Sequence, residues 1–591
     1  MYFNKIYQKM NIKNLLLMLA AVTALSSCKK FLDVDPLDKL TPEQAFSTEN
    51  NLQLYVNSFY PGNLPDGPGV YQADVMTDVT VPNAVPNYIS GKLNVQDAAA
   101  WSWGSLRNIN YFLVNYNNPA IPLKARNHFA GIARFFRAYF YFQMVKQYGD
   151  VPWYNKPLGI NDPDLYKARD PRSLVMDSVL ADIDFAVANI YPAKDNSATQ
   201  VTKWVALGLK SRICLFEGTF RKYHSETGLT ATAVKWLEES ASAADELMKS
   251  GQYKLQVSSD ATRDYRSLFI SENPVSVEVL LAAVYNNSLK KWHNAAWWFN
   301  SATLGARLGL DKHLINTYLK QDGSRFTDDA SYETMEFQDE VKNRDLRLQQ
   351  TIRMGDYKRT DGSPAPPDFT VTYSGYQIQK FSLDDKYFDT RTESYNSIPV
   401  MRYAEILLNY AEAKAELGQL SQDDWTQTIG ALRKRAGIAN SDVMPVTADA
   451  YMKNTFFPMI SDALILEVRR ERAIELAVEG FRYDDLKRWK AGKLLERPYT
   501  GIYIPGKDQV LDLNEDGKPD VSFVDKVPAT KVPGVTYFVL DNNTSKLSEG
   551  NKGNLLWLST TKKTYEDKQY LYPISANEIL LNPKLDQNPL W

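Results

Sequence analysis

A short segment in the middle of the chain places aromatic rings next to side-chain amides. It reads Trp292-His293-Asn294-Ala295-Ala296-Trp297-Trp298-Phe299-Asn300 and closely follows Tyr285-Asn286-Asn287. Flat indole faces stack on other flat apolar faces, and amides hydrogen-bond to hydroxyl groups. Because the adjacent Trp297 and Trp298 cannot both face a core, we expect at least one to be partly exposed. The segment predicts sugar binding. The candidate contacts are Tyr285, Trp292, Asn294, Trp297 and Trp298, although a single tryptophan is more often a core residue.

A second segment has the spacing of a calcium-binding loop. Oxygen-bearing side chains occupy its first, third and fifth positions, and Gly517 at the sixth allows the sharp turn. Position twelve is Phe523 instead of the glutamate of an EF-hand, so Asp520 at position nine would complete the coordination shell of the ion. The candidate ligands are Asp512, Asn514, Asp516, Lys518 and Asp520. The alternative is an Asx turn without an ion. A Ca²⁺ ion here would be structural and would take no part in catalysis.

A ladder of acidic residues could supply paired carboxylates. Glu467, Glu471, Glu475 and Glu479 follow one another at steps of four, and like charges at that helical spacing repel each other. The nearby cations that could neutralise them are Arg469, Arg470, Arg472, Arg482 and Arg488. We interpret the ladder as a structural ion network, with the paired catalytic acids of a glycoside hydrolase as the alternative.

The usual catalytic signatures are missing from the sequence. Its four histidines are His128, His224, His293 and His313, and none has the spacing of a His-Glu-x-x-His metal site. There is also no Gly-x-Ser-x-Gly turn, phosphate loop or Cys-x-x-Cys pair. A glycosidase needs only two carboxylates, and sequence spacing does not reveal their pairing.

Residues 1–27 have the features of a cleaved signal peptide. Three lysines and no acidic residue precede an apolar core at 15–25. That core is shorter than the roughly 20 residues of a membrane-spanning helix. It ends in Leu25-Ser26-Ser27-Cys28, which has the form of a bacterial lipobox, so we expect acylation of Cys28. The alternative is a generic signal peptide in which Cys28 is incidental.

Charge and cysteine usage limit the possible partners and cross-links. Removal of residues 1–27 takes away three lysines and no acids, so the formal charge falls from −2 to −5, which argues against nucleic-acid binding. The other cysteine, Cys214, lies in an apolar run at 213–216. We expect it to be a buried free thiol. The 35 Tyr, 25 Phe and 12 Trp exceed what loops would normally carry, so most of them should be core.

Helical periodicity is concentrated in two blocks. In the first block, Ile132, Phe135, Phe136 and Tyr139 recur at three- and four-residue spacings, and Gly149 ends the pattern. The helical segments of this block are 131–153, in which Gly149 is the helix stop, and about 172–190, 202–217 and 231–249. Those of the second block are 400–418, in which Gly418 closes the helix, and about 462–479.

The other parts of the chain lack long amphipathic periods and are rich in Gly, Pro, Asn, Asp and Tyr, which predicts loops and short strands. We therefore predict a mostly α fold, with a tetratricopeptide-like helical-repeat scaffold and a loop-rich, irregular α+β subdomain packed on it. The predicted segments are the signal peptide 1–27, an N-terminal helical region 28–250, a ligand-binding loop region 251–398, a second helical block 399–492, and a C-terminal region 493–591 that contains the calcium loop.

Six blocks, taken in order, resemble the SusD/RagB family of outer-membrane nutrient-binding lipoproteins over nearly the whole mature chain. They are Phe31-Leu32-Asp33-Val34-Asp35-Pro36 after the cysteine, Trp103-Gly104-Ser105-Leu106-Arg107-Asn108-Ile109-Asn110, the segment 131–153, the segment 391–418, the stretch 471–489 with Glu479-Gly480-Phe481-Arg482-Tyr483-Asp484-Asp485, and the ending 571–591. One such block would be weak evidence, whereas six in order are specific.

The resemblance implies a cell-surface glycan-binding lipoprotein that is not an enzyme. It also implies a partner, a SusC-like TonB-dependent transporter in the outer membrane, to which the glycan is delivered. The family's glycan platform draws on the region before the first helical block and on a mid-chain loop; Trp101 and the segment 292–300 match these places. Arg107 and Asp78 are further polar candidates, whereas Trp103 has the helical spacing of a core residue.

Two other functions stay open. A surface glycoside hydrolase would release products from oligosaccharides, and a helical-repeat adaptor would bind only protein.

Overall fold

The computed structural model describes residues 42–303 and 305–591. The predicted signal peptide and Cys28 lie outside the described residues. The α-helices are α1 (Pro42–Ala45), α2 (Glu49–Asn57), α3 (Gly67–Tyr71), α4 (Gly104–Asn115), α5 (Leu123–Tyr148), α6 (Arg172–Asn189), α7 (Lys203–Tyr223), α8 (Ala233–Lys249), α9 (Ala261–Ile270), α10 (Ala295–Asn300), α11 (Lys312–Ile315), α12 (Phe337–Glu340), α13 (Leu346–Thr351), α14 (Tyr403–Glu416), α15 (Gln422–Trp425), α16 (Ala431–Arg435), α17 (Ala463–Glu475), α18 (Arg482–Arg488) and α19 (Ala576–Leu581). The strands are β1 (Thr80–Val81), β2 (Val279–Ala283), β3 (Gly309–Leu310), β4 (Ile398–Arg402), β5 (Tyr499–Ile504), β6 (Val510–Leu511), β7 (Val521–Val524), β8 (Thr536–Val539), β9 (Ser545–Leu547) and β10 (Gly553–Trp557).

Long helices pack in sequence order to form a helical stack. Helix α5 packs against α6, α6 against α7, and α7 against α8. A Cβ at Gly218 of α7 would lie 2.9 Å from the Leu237 side chain of α8, so the two helices approach too closely for a larger residue. Helix α5 ends at Tyr148, where Gly149 takes a φ of 75°, a left-handed conformation that glycine adopts without strain. The helix stop predicted at Gly149 is confirmed.

The second helical block continues this stack. Helix α8 packs against α14, and α14 packs against α17. A π-helical segment, Thr426–Gly430, joins α15 to α16. The mostly helical, tetratricopeptide-like architecture predicted from the sequence is confirmed.

An irregular α+β subdomain packs on the stack. Strands β1 and β3 form one antiparallel pair, and β2 and β4 form another. Strands β5, β10 and β9 form an antiparallel sheet, whereas β7 pairs antiparallel with β6 and parallel with β8. The subdomain also contains the short helices α9 to α13, where the sequence predicted only loops and strands.

Two large hydrophobic clusters hold these parts together. The first cluster centres on the stack, with Phe136 and Tyr141 of α5 fully buried in it. The second cluster joins the subdomain to the stack, because Phe299, Phe381 and Ile474 of α17 all belong to it. Cys214 is a buried free thiol in α7, as predicted, and burial raises its pKa.

The glutamate ladder is a buried ion network, as predicted, and it is centred on Glu475 at the end of α17. One carboxylate oxygen of Glu475 lies 2.5 Å from both Arg402 and Arg435, and the other lies 2.8 Å from Arg347. Glu471 pairs with Arg347 and Arg433 at 2.5 and 3.0 Å. Burial alone would raise the pKa of Glu475, but Arg435, Arg402 and Arg347 hold it well below its ordinary value.

The prediction of which cations neutralise the ladder was largely wrong. Arg470 does pair with Glu467, at 2.7 Å. The other expected cations pair elsewhere: Arg469 with Glu416, Arg472 with Asp485, Arg482 with Asp78, and Arg488 with Glu412 and Asp485. The predicted helix end at residue 479 was also too late, because α17 ends at Glu475.

Candidate functional site

An antiparallel backbone bridge attaches the tryptophan segment to the subdomain. The His293 N–H donates to the Ser394 carbonyl at 2.8 Å, and the Ser394 N–H donates back to His293 at 3.0 Å. Both bridge residues are buried, whereas the flanking Trp292 and Tyr395 are half-buried, as alternation across such a pair requires. Burial lowers the pKa of His293 to about 4, so its ring is neutral near pH 7. The bridge therefore turns Trp292 and Tyr395 away from the core.

Helix α10 follows this bridge and carries Trp297 and Trp298. Both are half-buried, which confirms the expected partial exposure. Trp298 packs against the second cluster, and its indole Nε1 is buried without a hydrogen-bond partner among the described residues. The backbone N–H of Trp298 donates to the Asn294 carbonyl at 2.8 Å, and the backbone carbonyl of Trp298 accepts the Ala306 N–H at 3.0 Å. The indole rings thus stand on a fixed backbone.

Further aromatic residues, which the sequence spacing did not indicate, lie beside α10. The helix packs against the turn Lys386–Thr390, which carries the exposed Tyr387 and the half-buried Phe388. The Phe388 ring meets those of Tyr387 and Tyr395 edge to face, at centroid distances of 5.1 and 5.6 Å. A signal was available in the alternation of rings and charges over 386–395. We name Trp292, Trp297, Trp298, Tyr387, Phe388 and Tyr395 the aromatic shelf.

Two predicted ligand contacts instead attach the segment to α3. Tyr285 is only 7% exposed, and its hydroxyl accepts the Gly67 N–H at 2.9 Å. The Asn294 side-chain oxygen accepts the Tyr71 hydroxyl at 2.5 Å. We therefore leave Tyr285 and Asn294 out of the proposed ligand surface, because the Tyr285 hydroxyl and the Asn294 side-chain oxygen are already engaged.

Trp101 lies on the helical stack and packs with other rings there. Its ring centroid is 5.5 Å from that of Trp103 and 5.4 Å from that of Tyr148. Both tryptophans pack against the first cluster and both are half-buried, so Trp103 is less deeply buried than the sequence predicted. The ring contacts of Trp101 place it with the stack and not with the aromatic shelf.

The two further polar candidates have structural partners. Asp78 is buried and ion-paired with Arg482 at 2.8 Å and Arg497 at 3.1 Å. Burial alone would raise the pKa of Asp78, but the two guanidinium groups hold it below its ordinary value. Arg107 is exposed at the surface, and its guanidinium donates to the Leu158 carbonyl. Asp78 therefore acts as an internal counter-ion.

The candidate calcium loop closes through hydrogen bonds to its own backbone. Asp512 accepts the Gly517 N–H at 2.8 Å, and Asp520 accepts the Leu513 N–H at 2.8 Å. Burial raises the pKa of Asp520 to about 6, with further contributions from the nearby Asp512 and Asp516. The carboxylates are therefore close enough to repel, and a bound cation would relieve that repulsion. Calcium occupancy stays a prediction.

Residues 42–303 and 305–591 carry neither a preformed metal cluster nor a membrane-spanning helix. Within these ranges, no group of three or more His, Cys, Asp or Glu side chains has an arrangement suited to a metal ion. Nor does any helix in this described part combine the length and apolar character that a bilayer crossing requires.

Comparison with known proteins defines the class to which this arrangement belongs. The model of the SusD family matches residues 284–591, more than half of the chain, and a second model, described as starch-binding and associating with the outer membrane, matches residues 30–215. The chain therefore belongs to the SusD family, a family of carbohydrate-binding proteins.

Individual relatives extend the likeness over the whole fold. The chain is 22% identical to SusD-like protein P38 of Formosa agariphila over 520 residues, which is 83% of this chain and 94% of that protein. A SusD-like protein of Bacteroides fragilis superposes with a TM-score of 0.67 at 20% identity, over 94% of this chain and 100% of that one. A SusD-like carbohydrate binding protein of the same species superposes with a TM-score of 0.66 at 22% identity, over 91% and 99%. These likenesses to solved structures support the fold.

Proposed function

We propose that this chain is a lipid-anchored outer-membrane protein that captures glycan on the aromatic shelf and delivers it to a SusC-like TonB-dependent transporter. The observation that carries the proposal is the set of exposed or half-buried rings around α10 and the turn Lys386–Thr390. Single half-buried aromatic residues are common, whereas a contiguous group of them on a surface marks a binding site. The apolar faces of sugar rings fit such a surface.

The shelf supplies binding energy mainly by removing apolar surface from water. Each 100 Å² of apolar surface covered contributes about 2.5 kcal/mol before losses from ordering. Those losses are reduced here, because the bridge at His293 and the two backbone hydrogen bonds of Trp298 hold the rings in place beforehand. A preformed stacking surface needs no induced fit in the protein.

The proposal of binding without turnover is supported by the state of the glutamate ladder. A glycosidase requires two carboxyl groups that reach the scissile bond. The glutamate ladder, the only paired-acid candidate drawn from the sequence, is buried and ion-paired throughout the described structure. We therefore propose that the protein holds glycan and leaves its linkages intact.

The lipid anchor and the transporter complete the proposed role. Acylation of Cys28 would hold the protein at the membrane, since each buried methylene of a lipid chain contributes about 0.8 kcal/mol. Confinement to the membrane raises the effective concentration of captured glycan beside a transporter. Metabolic labelling with a palmitate analogue should label the native chain but not the Cys28→Ser variant. In a separate experiment, a TonB-dependent transporter should co-purify with the native chain from membranes. An unlabelled native chain would remove the anchor from the proposal.

Calorimetric titration tests the central proposal. The mature chain with Cys28→Ser is titrated with maltoheptaose, cellohexaose, laminarihexaose, xylohexaose and hexagalacturonic acid, and each mixture is then analysed for products. We expect binding of at least one probe and no product. Product release that Asp or Glu substitutions abolish would favour the hydrolase, and silence across the panel would favour the protein-binding adaptor.

A further inference from the structure

A polar pocket is lined in part by residues of the two elements that carry the aromatic shelf, helix α10 and the turn Lys386–Thr390. Its volume is about 330 Å³, at the lower end of small-ligand sites, so it suits the end of a glycan better than a long segment. Asn300 of α10 lines it, as do Lys386 and Asp389 of the turn that carries Tyr387 and Phe388. Helix α10 and this turn thus carry residues of both the shelf and the pocket.

Two buried arginines line this pocket with hydrogen-bonding capacity unused. Arg353 and Arg359 are only 5% and 8% exposed, and Nε of Arg353 and Nη1 of Arg359 have no partner among the described residues. Asp389 pairs with Arg359 through one carboxylate oxygen, and its other oxygen, Oδ1, is buried without a partner among the described residues. Most buried polar groups in folded proteins are paired, so two donors and an acceptor left open around one pocket are a signal of a missing partner.

The electrostatics of the pocket distinguish between kinds of ligand. Arg353, Arg359 and Lys386 line it together with Asp368, Asp389 and Asp520, so the formal charges cancel. A carboxylate or sulfate would meet the guanidinium groups only while lying close to several acids. A hydroxyl group both donates and accepts, and it can therefore satisfy arginine and aspartate at once without adding charge.

The pocket also offers a small apolar face. The apolar lining residues are Pro364, Pro366, Pro367 and Val371, and none of the residues that line the pocket is aromatic. Proline rings and a branched aliphatic side chain match the C–H face of a saturated sugar ring, while the polar groups match its hydroxyl edge. This combination differs from the shelf, where aromatic faces dominate.

We propose that this pocket is a subsite for the end of a neutral, hydroxyl-rich glycan whose preceding rings stack on the aromatic shelf. The inference rests on the proposed function, because it assigns the terminal ring of the same ligand. It names Arg353, Arg359 and Asp389 as contacts to hydroxyl groups. Specificity for a chain end, and for an uncharged one, follows from the size and charge balance of the pocket.

The test uses the mature chain with Cys28→Ser and the tightest-binding probe of the calorimetric panel, free or with one end blocked by a bulky label. Arg359→Met and Asp389→Asn should each weaken binding at least tenfold, and a label at the end that enters the pocket should do the same. Arg126→Met is the matched control, because Arg126 also has a buried Nε without a partner among the described residues but does not line this pocket. Arg126→Met should bind like the parent chain.

Each contrary result has a separate meaning. If Trp297→Ala abolishes binding while Arg359→Met and Asp389→Asn bind normally, the pocket is overturned and the shelf stands. If hexagalacturonic acid binds more tightly than every neutral probe, the neutral assignment is overturned. If no probe binds, the proposed function fails and the subsite fails with it. Should Arg359→Met not fold, the nearly isosteric Asp389→Asn carries the test, with circular dichroism as the folding control.

Discussion

The helical stack and the loop-rich subdomain use the same residue types in opposite ways. In the stack, Phe136 and Tyr141 lie on the long helix α5 and are fully buried among other rings. In the subdomain, Trp297, Trp298 and Tyr387 are clustered without a long period and stay partly exposed. Periodic spacing lets a whole helix face be buried, whereas rings crowded into a short segment point in several directions and cannot all be covered. The comparison separates aromatic residues that stabilise from those available to bind.

The two regions treat charge differently as well. The carboxylates of the glutamate ladder are each ion-paired with Arg or Lys from other parts of the chain. In the pocket beside the shelf, Asp389 keeps one carboxylate oxygen without a partner among the described residues, and Arg353 and Arg359 each keep one such nitrogen. Arg435 and Arg470 of the ladder network also keep one such nitrogen each, so the two regions differ in the carboxylates and not in the guanidinium groups.

The largest effect is expected in the ion network. Glu475→Gln removes the carboxylate shared by Arg347, Arg402 and Arg435. Breaking a buried pair on one side leaves uncompensated charge and costs about 3–5 kcal/mol. Urea unfolding should show a correspondingly lower midpoint or a failure to fold. Lys249→Gln, which breaks an exposed pair with Asp245, should change stability by about 1 kcal/mol or less. Equal effects of the two variants would contradict the structural role of the network.

Acid should weaken the same network in a defined window. Arg470 and Arg433 lower the pKa of Glu467 to about 2, although burial alone would raise it. A carboxylate with a depressed pKa stabilises the fold above its unfolded pKa of about 4.5. That contribution, up to about 3 kcal/mol, is lost as the pH falls from about 4.5 to 2. Urea midpoints of Glu467→Gln should depend less on pH across this window than those of the parent chain. Parallel pH profiles would argue against the ion pairs.

Removing one ring from the shelf and one from the stack should affect different properties, binding in the first case and stability in the second. Trp297→Ala should weaken glycan binding at least tenfold, or about 1.4 kcal/mol, with little change in melting temperature. Phe136→Ala should instead destabilise the fold by about 3–5 kcal/mol, because it empties a fully buried site. Trp204→Ala is the matched control for binding, since Trp204 is a half-buried tryptophan on the stack. A loss of folding in Trp297→Ala would assign that ring to the core.

The smallest effect concerns the loop 512–520. Burial raises the pKa of Asp520 to about 6, above its unfolded value of 3.8. The ionised carboxylate therefore destabilises the loop as the pH rises through 6, and Asp520→Asn should raise the melting temperature at pH 7 in EDTA and not at pH 4. Added Ca²⁺ should raise the melting temperature of the parent chain and not of Asp520→Asn. A melting temperature indifferent to EDTA and to Ca²⁺ would make the segment an ordinary Asx turn.

Local patterns predicted the elements better than they predicted the contacts. The end of α5 at Gly149 and the burial of Cys214 were correct because each depends on near neighbours in the chain. The ionic character of the ladder was also correct, because buried carboxylates at steps of four need cations wherever those cations lie in the chain. The cations of the ladder were mostly misassigned. Arg347 and Arg402 reach Glu475 across 128 and 73 residues, a separation at which spacing along the sequence carries no information.

The candidate site shows the same division. The density of rings at 292–298 was visible in the sequence, as was their partial exposure. The engagement of Tyr285 by Gly67 and of Asn294 by Tyr71 was not, since each bond joins residues more than 200 positions apart. Tyr387, Phe388 and Tyr395 entered the shelf only because the turn Lys386–Thr390 packs against α10.

By itself, the sequence determined where the long helices form and which family the chain belongs to, because periodicity, capping residues and short motifs act over a few neighbouring positions. Only the tertiary structure decided which rings face solvent, which cations meet the buried glutamates, and where Arg353, Arg359 and Asp389 come together beside the shelf. These outcomes depend on close packing between distant segments, and a side chain is buried or exposed according to what covers it.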